Sequence, residues 1–183
     1  EFEKNLFHEL VQKSKSALFL IVSKGLPYFI IMLFIWTGMI LGLFPLFHIQ
    51  IAGSIPAILL FSILFLLSLL SLGIMVSVFC RTTVLATDIL MILSAPGFIL
   101  SGYTWPVSQM PGIMQMVSNI LPITPFLSGY RKLMFLNCSL SDIMPEIYQL
   151  SLMVAVFGLM AWAILNWKIK KTLKNQSALE YLH

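Results

Sequence analysis

Three stretches of this 183-residue chain run without a charged side chain for as long as a helix needs to cross a bilayer: Gly25–Phe47, Ser54–Phe79 and Ile147–Trp167. A crossing helix takes about 20 mostly apolar residues, since it rises about 1.5 Å per residue through a hydrocarbon core about 30 Å thick. Backbone N–H and C=O groups find no water in that core, so such runs cross as helices, which satisfy those groups internally. Composition points the same way. Hydrophobic residues make up 59% and charged residues 10% of the chain, where soluble domains hold about 45–50% and about 25%; the mean hydropathy is +0.96. With 11 basic and 7 acidic side chains, the chain cannot cover an apolar surface of this size. A soluble enzyme, a nucleic-acid-binding domain and a disordered segment are thereby excluded, and the expected fold class is an all-α integral membrane protein.

A fourth span is expected at about 84–102. This run holds Asp88, Pro96 and Gly97. An aspartate at a helix centre costs about 2.5–3.5 kcal/mol on insertion, but Asp88 sits near one end. The basic residues decide the count. Spans at about 25–47, 54–79, 84–102 and 147–167 place Lys4, Lys13, Lys15, Lys24, Arg81, Lys168, Lys170, Lys171 and Lys174 on one side, and only Arg131 and Lys132 on the other. Positive charge collects on the cytoplasmic side, so both termini are expected there, with 168–183 as a cytoplasmic tail. Without the fourth span the lysine clusters at the two ends would face opposite sides.

Residues 1–15 are polar and mixed in charge, unlike a signal peptide. Glu1 stands where an initiator Met would, and the chain is read as a piece of something longer or as one whose start was removed. Within the cytoplasmic segment 1–24, Phe2, Leu6, Phe7, Leu10 and Val11 recur at helical spacing between Lys4, His8, Gln12 and Lys15. That is an amphipathic helix, fit to lie on the membrane or dock on a partner. Residues 103–146 form a long outer segment that is far too apolar for an ordinary loop. Pro106, Pro111, Pro122 and Pro125 cut it into pieces too short to span. Two short helices near 112–121 and 125–136 are expected, dipping into the outer mouth of the bundle, because irregular backbone at that depth must lie against protein or a water-filled cavity.

The chemistry-bearing motifs are few. No Gly-Lys pair exists, so there is no P-loop. His8-Glu9-Leu10-Val11-Gln12 lacks the second histidine of a zinc-protease helix, and His8, His48 and His183 are scattered. Cys80 and Cys138 fall on opposite sides and are read as bystanders. Gly38-xxx-Gly42 and Gly73-xxx-Ser77 permit close helix approach; packing within the chain is preferred to a dimer face. Trp36, Trp105, Trp162 and Trp167 read as interface anchors. Asp88 is the one acid inside a span. A functional role is the default for such a residue, yet near the start of its helix, with Arg81 two turns earlier, a structural cap or ion pair is preferred.

The outer segment also carries a resemblance. Ser101-Gly102-Tyr103-Thr104-Trp105-Pro106-Val107-Ser108-Gln109-Met110-Pro111, then Asn119-Ile120-Leu121-Pro122-Ile123-Thr124-Pro125-Phe126 and Tyr130-Arg131, resembles the permease subunits of ABC-2 type exporters. These typically carry Ser-Gly, an aromatic, Pro, Met-Pro, Leu-Pro, Thr and an Arg in that order. Lys24-Gly25-Leu26-Pro27-Tyr28 is similar to the family's approach to a span, with Ser23 where a Gly is usual. The resemblance implies the C-terminal portion of a six-span permease, spans three to six, in a bacterial inner membrane. It implies an efflux subunit that binds no cofactor itself, paired with an ATP-binding subunit holding ATP and Mg and with a second permease copy or a sister. Leu6, Phe7, His8, Leu10 and Val11 would dock on the ATPase. Ser101, Gly102, Tyr103, Pro106, Met110, Pro111, Leu121, Pro122, Pro125 and Arg131 would form the outer gate. ATP would close the two partner subunits, pull the docked helix and tilt the bundles. The alternative, an ATP-independent four-span channel or membrane scaffold, would need a polar pore lining, and the spans offer only Thr37, Ser62, Ser68, Ser71, Ser77 and Asn166.

Overall fold

The computed structural model describes residues 17–48, 53–80, 82–103, 105–136 and 138–180. Among them there are helices and no strands: α1 Ala17–Leu46, α2 Ile55–Phe79, α3 Thr83–Leu100, α4 Gly112–Ile120, α5 Ile123–Phe135 and α6 Met144–Glu180, with 3-10 turns at Val107–Gln109 and Leu140–Ile143. The expected surface helix at residues 1–15, with Leu6, Phe7, His8, Leu10 and Val11, lies outside the described residues.

The apolar runs become helices for visible local reasons. Extended Ser54 precedes α2, and Pro56 occupies its first turn, where a missing N–H costs nothing. Thr82 caps α3 by accepting from the Leu85 N–H at 3.3 Å. Asp88, exposed six residues into α3, is therefore not the cap the sequence suggested, and Arg81 lies outside the described residues. α1 runs through Pro27 and begins eight residues before the charge-free stretch, carrying Lys24 within it.

α2 is the axis of the bundle. α6 lies along it, α1 and α3 flank it, and α5 wedges against its N-terminal half. Ala57, Ile58, Phe61 and Phe65 of α2 meet Phe126, Leu133 and Met134 of α5 and Leu150, Met153 and Phe157 of α6 in the main core. A second core, of Leu20, Val78, Leu165 and Ile169, ties the other ends of α1, α2 and α6. There Lys168 donates to the Val78 carbonyl at 2.6 Å, which satisfies a carbonyl in the last turn of α2 and sets a cation at the helix's negative end. Burying these side chains removes roughly 1.5–3 kcal/mol of apolar exposure each relative to water. In lipid that gain is absent and packing replaces it.

Among the described residues, three helices are long and apolar enough to cross a membrane: Phe19–Leu46, Ile55–Phe79 and the helical run Leu140–Lys171. The apolar helix Val84–Leu100 is shorter, because the chain turns at Ser101–Tyr103 rather than continuing to 102. Two packing expectations are corrected. A Cβ added at Gly38, Gly42 or Gly73 would meet nothing within 4 Å, and Ser77 is exposed, so these small residues do not serve packing within the chain. The close approach to α2 is made instead at Gly25, whose added Cβ would lie 3.3 Å from Ile74. Trp36 is not an interface anchor. Its ring is packed edge-on against Phe65, Phe126 and Tyr130, and its indole N–H is buried without a hydrogen-bond partner.

Candidate functional site

The segment 101–146 folds back over one end of the bundle, against the first half of α2 and the start of α6. Each expected gate residue has a distinct place in it. Ser101 is buried and donates to the Phe98 carbonyl at 2.6 Å, closing α3. Gly102 follows with φ +82°, a left-handed turn open to glycine at little cost, and Val107 already lies 3.0 Å from where its Cβ would be. The chain thus reverses within three residues. Tyr103 emerges exposed, with the Arg131 guanidinium 6.0 Å from its ring centroid. Pro106 precedes the 3-10 turn and Pro111 precedes α4; both are exposed. Met110 between them is buried, and its carbonyl accepts from Gln115 at 2.9 Å.

The two short helices come where the prolines predict, α4 at 112–120, one residue shorter than expected, and α5 at 123–135, starting two residues before and ending one residue before the expected bounds. Leu121 and Pro122 are buried at the corner between them, and Pro125 is buried in the first turn of α5. The corner is held by hydroxyls. Ser118, fully buried, donates to the Leu100 carbonyl at 2.6 Å and lies 3.2 Å from the Thr124 hydroxyl. The end of α3, the end of α4 and the start of α5 are thus joined in one network. Arg131 is exposed and stands apart from this corner.

α5 is seated by an aromatic stack. Phe126 lies flat on Phe65, with centroids 3.8 Å apart and planes 7° from parallel, and it also stacks on Phe61 at 5.6 Å. Gly129 makes the fit possible, since a Cβ there would come within 2.6 Å of the Phe61 ring. Below the stack lies a charged contact that sequence reasoning missed. Glu146, in the first turn of α6, is 8% exposed. Its Oε1 accepts from Lys132 at 2.7 Å and from Ser128 at 3.0 Å, while Oε2 is buried without a partner. The pairs are 14 and 18 residues apart, so no local spacing announces them. The available signal was that Asp142 and Glu146 are the two acids of the segment 103–146 and Arg131 and Lys132 its two cations.

Chemically the segment holds no nucleophile–base pair among the described residues. It offers instead an apolar and aromatic contact of α5 with α2, and one ion pair that joins α5 to α6. The serine hydroxyls expected as the sparse lining of a pore bond to their own helix. Ser62, Ser68 and Ser71 donate to the carbonyls of Ile58, Phe65 and Leu67 at 2.7–2.9 Å.

Comparison with known proteins agrees with this architecture. A family model described as ABC-2 family transporter protein matches residues 1–163. The Escherichia coli K12 protein named probable multidrug ABC transporter permease YbhR is 25% identical over 170 residues, covering 92% of this chain and 46% of that protein. The one named probable multidrug ABC transporter permease YbhS, also from Escherichia coli K12, is 27% identical over 135 residues, covering 73% of this chain and 36% of that protein. The chain therefore spans less than half the length of these relatives. No solved structure matches it. A helical chain whose segment 101–146 folds back onto its own bundle, matched by this family model over residues 1–163, belongs to the ABC-2 transporter family.

Proposed function

We propose that the chain is the core of a permease driven by a separate ATP-binding subunit, exporting lipophilic compounds from a bacterial cell. The observation that carries this reading is the segment 101–146, in which α5 is packed on α2 and α6 while α4 packs on α3 and α5; in this reading the two short helices narrow the outer end of the bundle. A gate of this kind needs an energy source elsewhere, because the described residues provide no group to hold or cleave a nucleotide. ABC-2 permeases receive that energy from an ATP-binding partner, and the names of the two relatives include multidrug transport.

In this reading α3 is the fourth span. Its 18 residues reach about 27 Å at 1.5 Å per residue, just short of the core thickness, and the nine-to-two charge asymmetry favours four crossings over three. Both termini are then cytoplasmic. Residues 1–15 dock on the ATPase through Leu6, Phe7, His8, Leu10 and Val11, and two permeases, identical or sisters, enclose the path. ATP binding shifts the equilibrium between a seated and a released α5 only by as much as the ATPase binds the two states differently.

The test is made on the full-length permease co-expressed with its ATP-binding subunit. Leu10→Asp combined with charge reversal at Lys13 and Lys15 should abolish transport-stimulated ATPase activity while leaving the permease in the membrane. Unchanged stimulation would sink the docking assignment. Repeated recovery of a permease with no ATPase under gentle extraction would favour an ATP-independent channel or scaffold.

A further inference from the structure

An apolar groove of about 770 Å³ opens between the last turn of α2, the first turns of α3 and the end of α6. Phe79 forms its floor, Leu85 and Ile89 one wall, and Ile164 and Trp167 the other, with Lys168 at its end. It continues toward the bilayer centre as a narrower cleft of about 280 Å³ that adds Met75 and Met160. From Lys168 to Met160 is about 12 Å along α6 at 1.5 Å per residue, close to the depth of one leaflet's hydrocarbon, about 15 Å.

The charges gather at one end. Lys168 is fixed there by its bond to the Val78 carbonyl. Lys171 stands 5.2 Å over the Trp167 ring, and Lys170 is exposed beside it. No acidic residue occurs in 147–179. Asp88 is exposed on α3 but does not line the groove. An apolar slot about one leaflet deep, with the Lys168 ammonium and the Trp167 indole in its lining and Lys171 stacked over that indole, matches a molecule with a long hydrocarbon tail and a negative head. We propose that this groove binds an anionic glycerophospholipid of the cytoplasmic leaflet, its acyl chain between α3 and α6 and its phosphate at the Lys168–Lys171 cluster. Basic pockets between helices on the cytoplasmic side are suited to such headgroups, and tryptophan favours the interface. The site needs only that the end of α6 face the cytoplasm, so it stands or falls separately from ATPase docking.

The experiment uses the full-length permease reconstituted in vesicles. Brominated phosphatidylglycerol or brominated phosphatidylcholine of the same chain length is titrated in, and the Trp167 signal is taken as the difference between the wild type and Trp167→Phe. Half-quenching is expected at a lower mole fraction of phosphatidylglycerol than of phosphatidylcholine. Lys170→Gln with Lys171→Gln, which spares the Lys168 cap, should erase most of that preference, at about fivefold per lysine. Ala163→Trp, which fills the groove without touching its charge, should weaken quenching by both lipids. Equal quenching by the two lipids would reduce the groove to ordinary bilayer contact and overturn the proposal. Absence of quenching by either would overturn it too, by showing the groove covered in the complete protein. Stronger quenching by a brominated cationic lipid would reverse the sign of the assigned ligand.

Discussion

At the scale of single residues, the outer segment depends on Glu146. A carboxylate nine-tenths buried is costly unless it is paired and hydrogen-bonded. Here one oxygen is served twice, by Lys132 and Ser128, and the other not at all. Removing Lys132 leaves the carboxylate with a single neutral donor. Lys132→Met should therefore destabilise the protein by about 1–3 kcal/mol, toward the lower end because the lysine is itself partly exposed. Adding Glu146→Leu should recover most of that loss, since replacing both members of a buried pair by apolar groups is often neutral. Thermal unfolding of the two single variants and the double variant in detergent closes the cycle, and strictly additive losses would show that the contact holds nothing together. None of this was visible in sequence. Glu146 reads there as an ordinary acid in a first helical turn, and its partners are set by how α5 lies across α6. Gly102 was singled out only through the resemblance, and the turn it makes was not read, since the span was expected to run on to 102. The corner at Leu121–Pro122 was legible from its proline, which ends one helix and starts the next.

At the scale of elements, α5 carries the argument. Its position in the chain was readable from Pro122 and Pro125, which end one helix and start the next. Its seat was not, because Phe61, Phe65 and Phe126 look like any other apolar residues in a chain this rich in them. Trp36 was misread for that reason: its indole suggests an interface, and only the packing of α1 on α2 and α5 puts it inside. The stack of Phe126 on Phe65 is closer to parallel than the offset or edge-on pairs aromatic rings usually prefer, so its worth lies chiefly in filled space. Phe126→Ala should cost about 3–5 kcal/mol, the range for large aromatic truncations in a core. It should also release α5, since this ring touches α1, α2 and Tyr130 at once. A small fluorescent dye trapped in vesicles with the resting transporter would then leak without ATP. A tight vesicle population with normal protein insertion would mean that α5 is not the barrier.

At the scale of the whole molecule, most of the apolar surface of α1 is unpartnered. Phe34, Ile35 and Leu41 are exposed, and Gly38 and Gly42 open onto empty space. That face is open to lipid or to further protein, and the chain spans less than half the length of the relatives it matches. The arrangement across the bilayer follows from charge, and it has a direct check. Four crossings put Ser141 and Lys170 on opposite sides, with Ser141 outside; three crossings exchange both positions. Ser141 and Lys170 are exposed, so a cysteine at either should be reachable without unfolding, whereas the native Cys80 is buried and Cys138 half-buried. In a background with both native cysteines replaced by serine, a membrane-impermeant maleimide added to intact cells should label Ser141→Cys and spare Lys170→Cys until the membrane is opened. The reverse pattern would mean that α3, at 18 residues, fails to cross, and that the basic end of α6 lies outside the cell, against the positive-inside rule. It would also remove the anionic-lipid site, whose headgroup end would then lie at the outer surface.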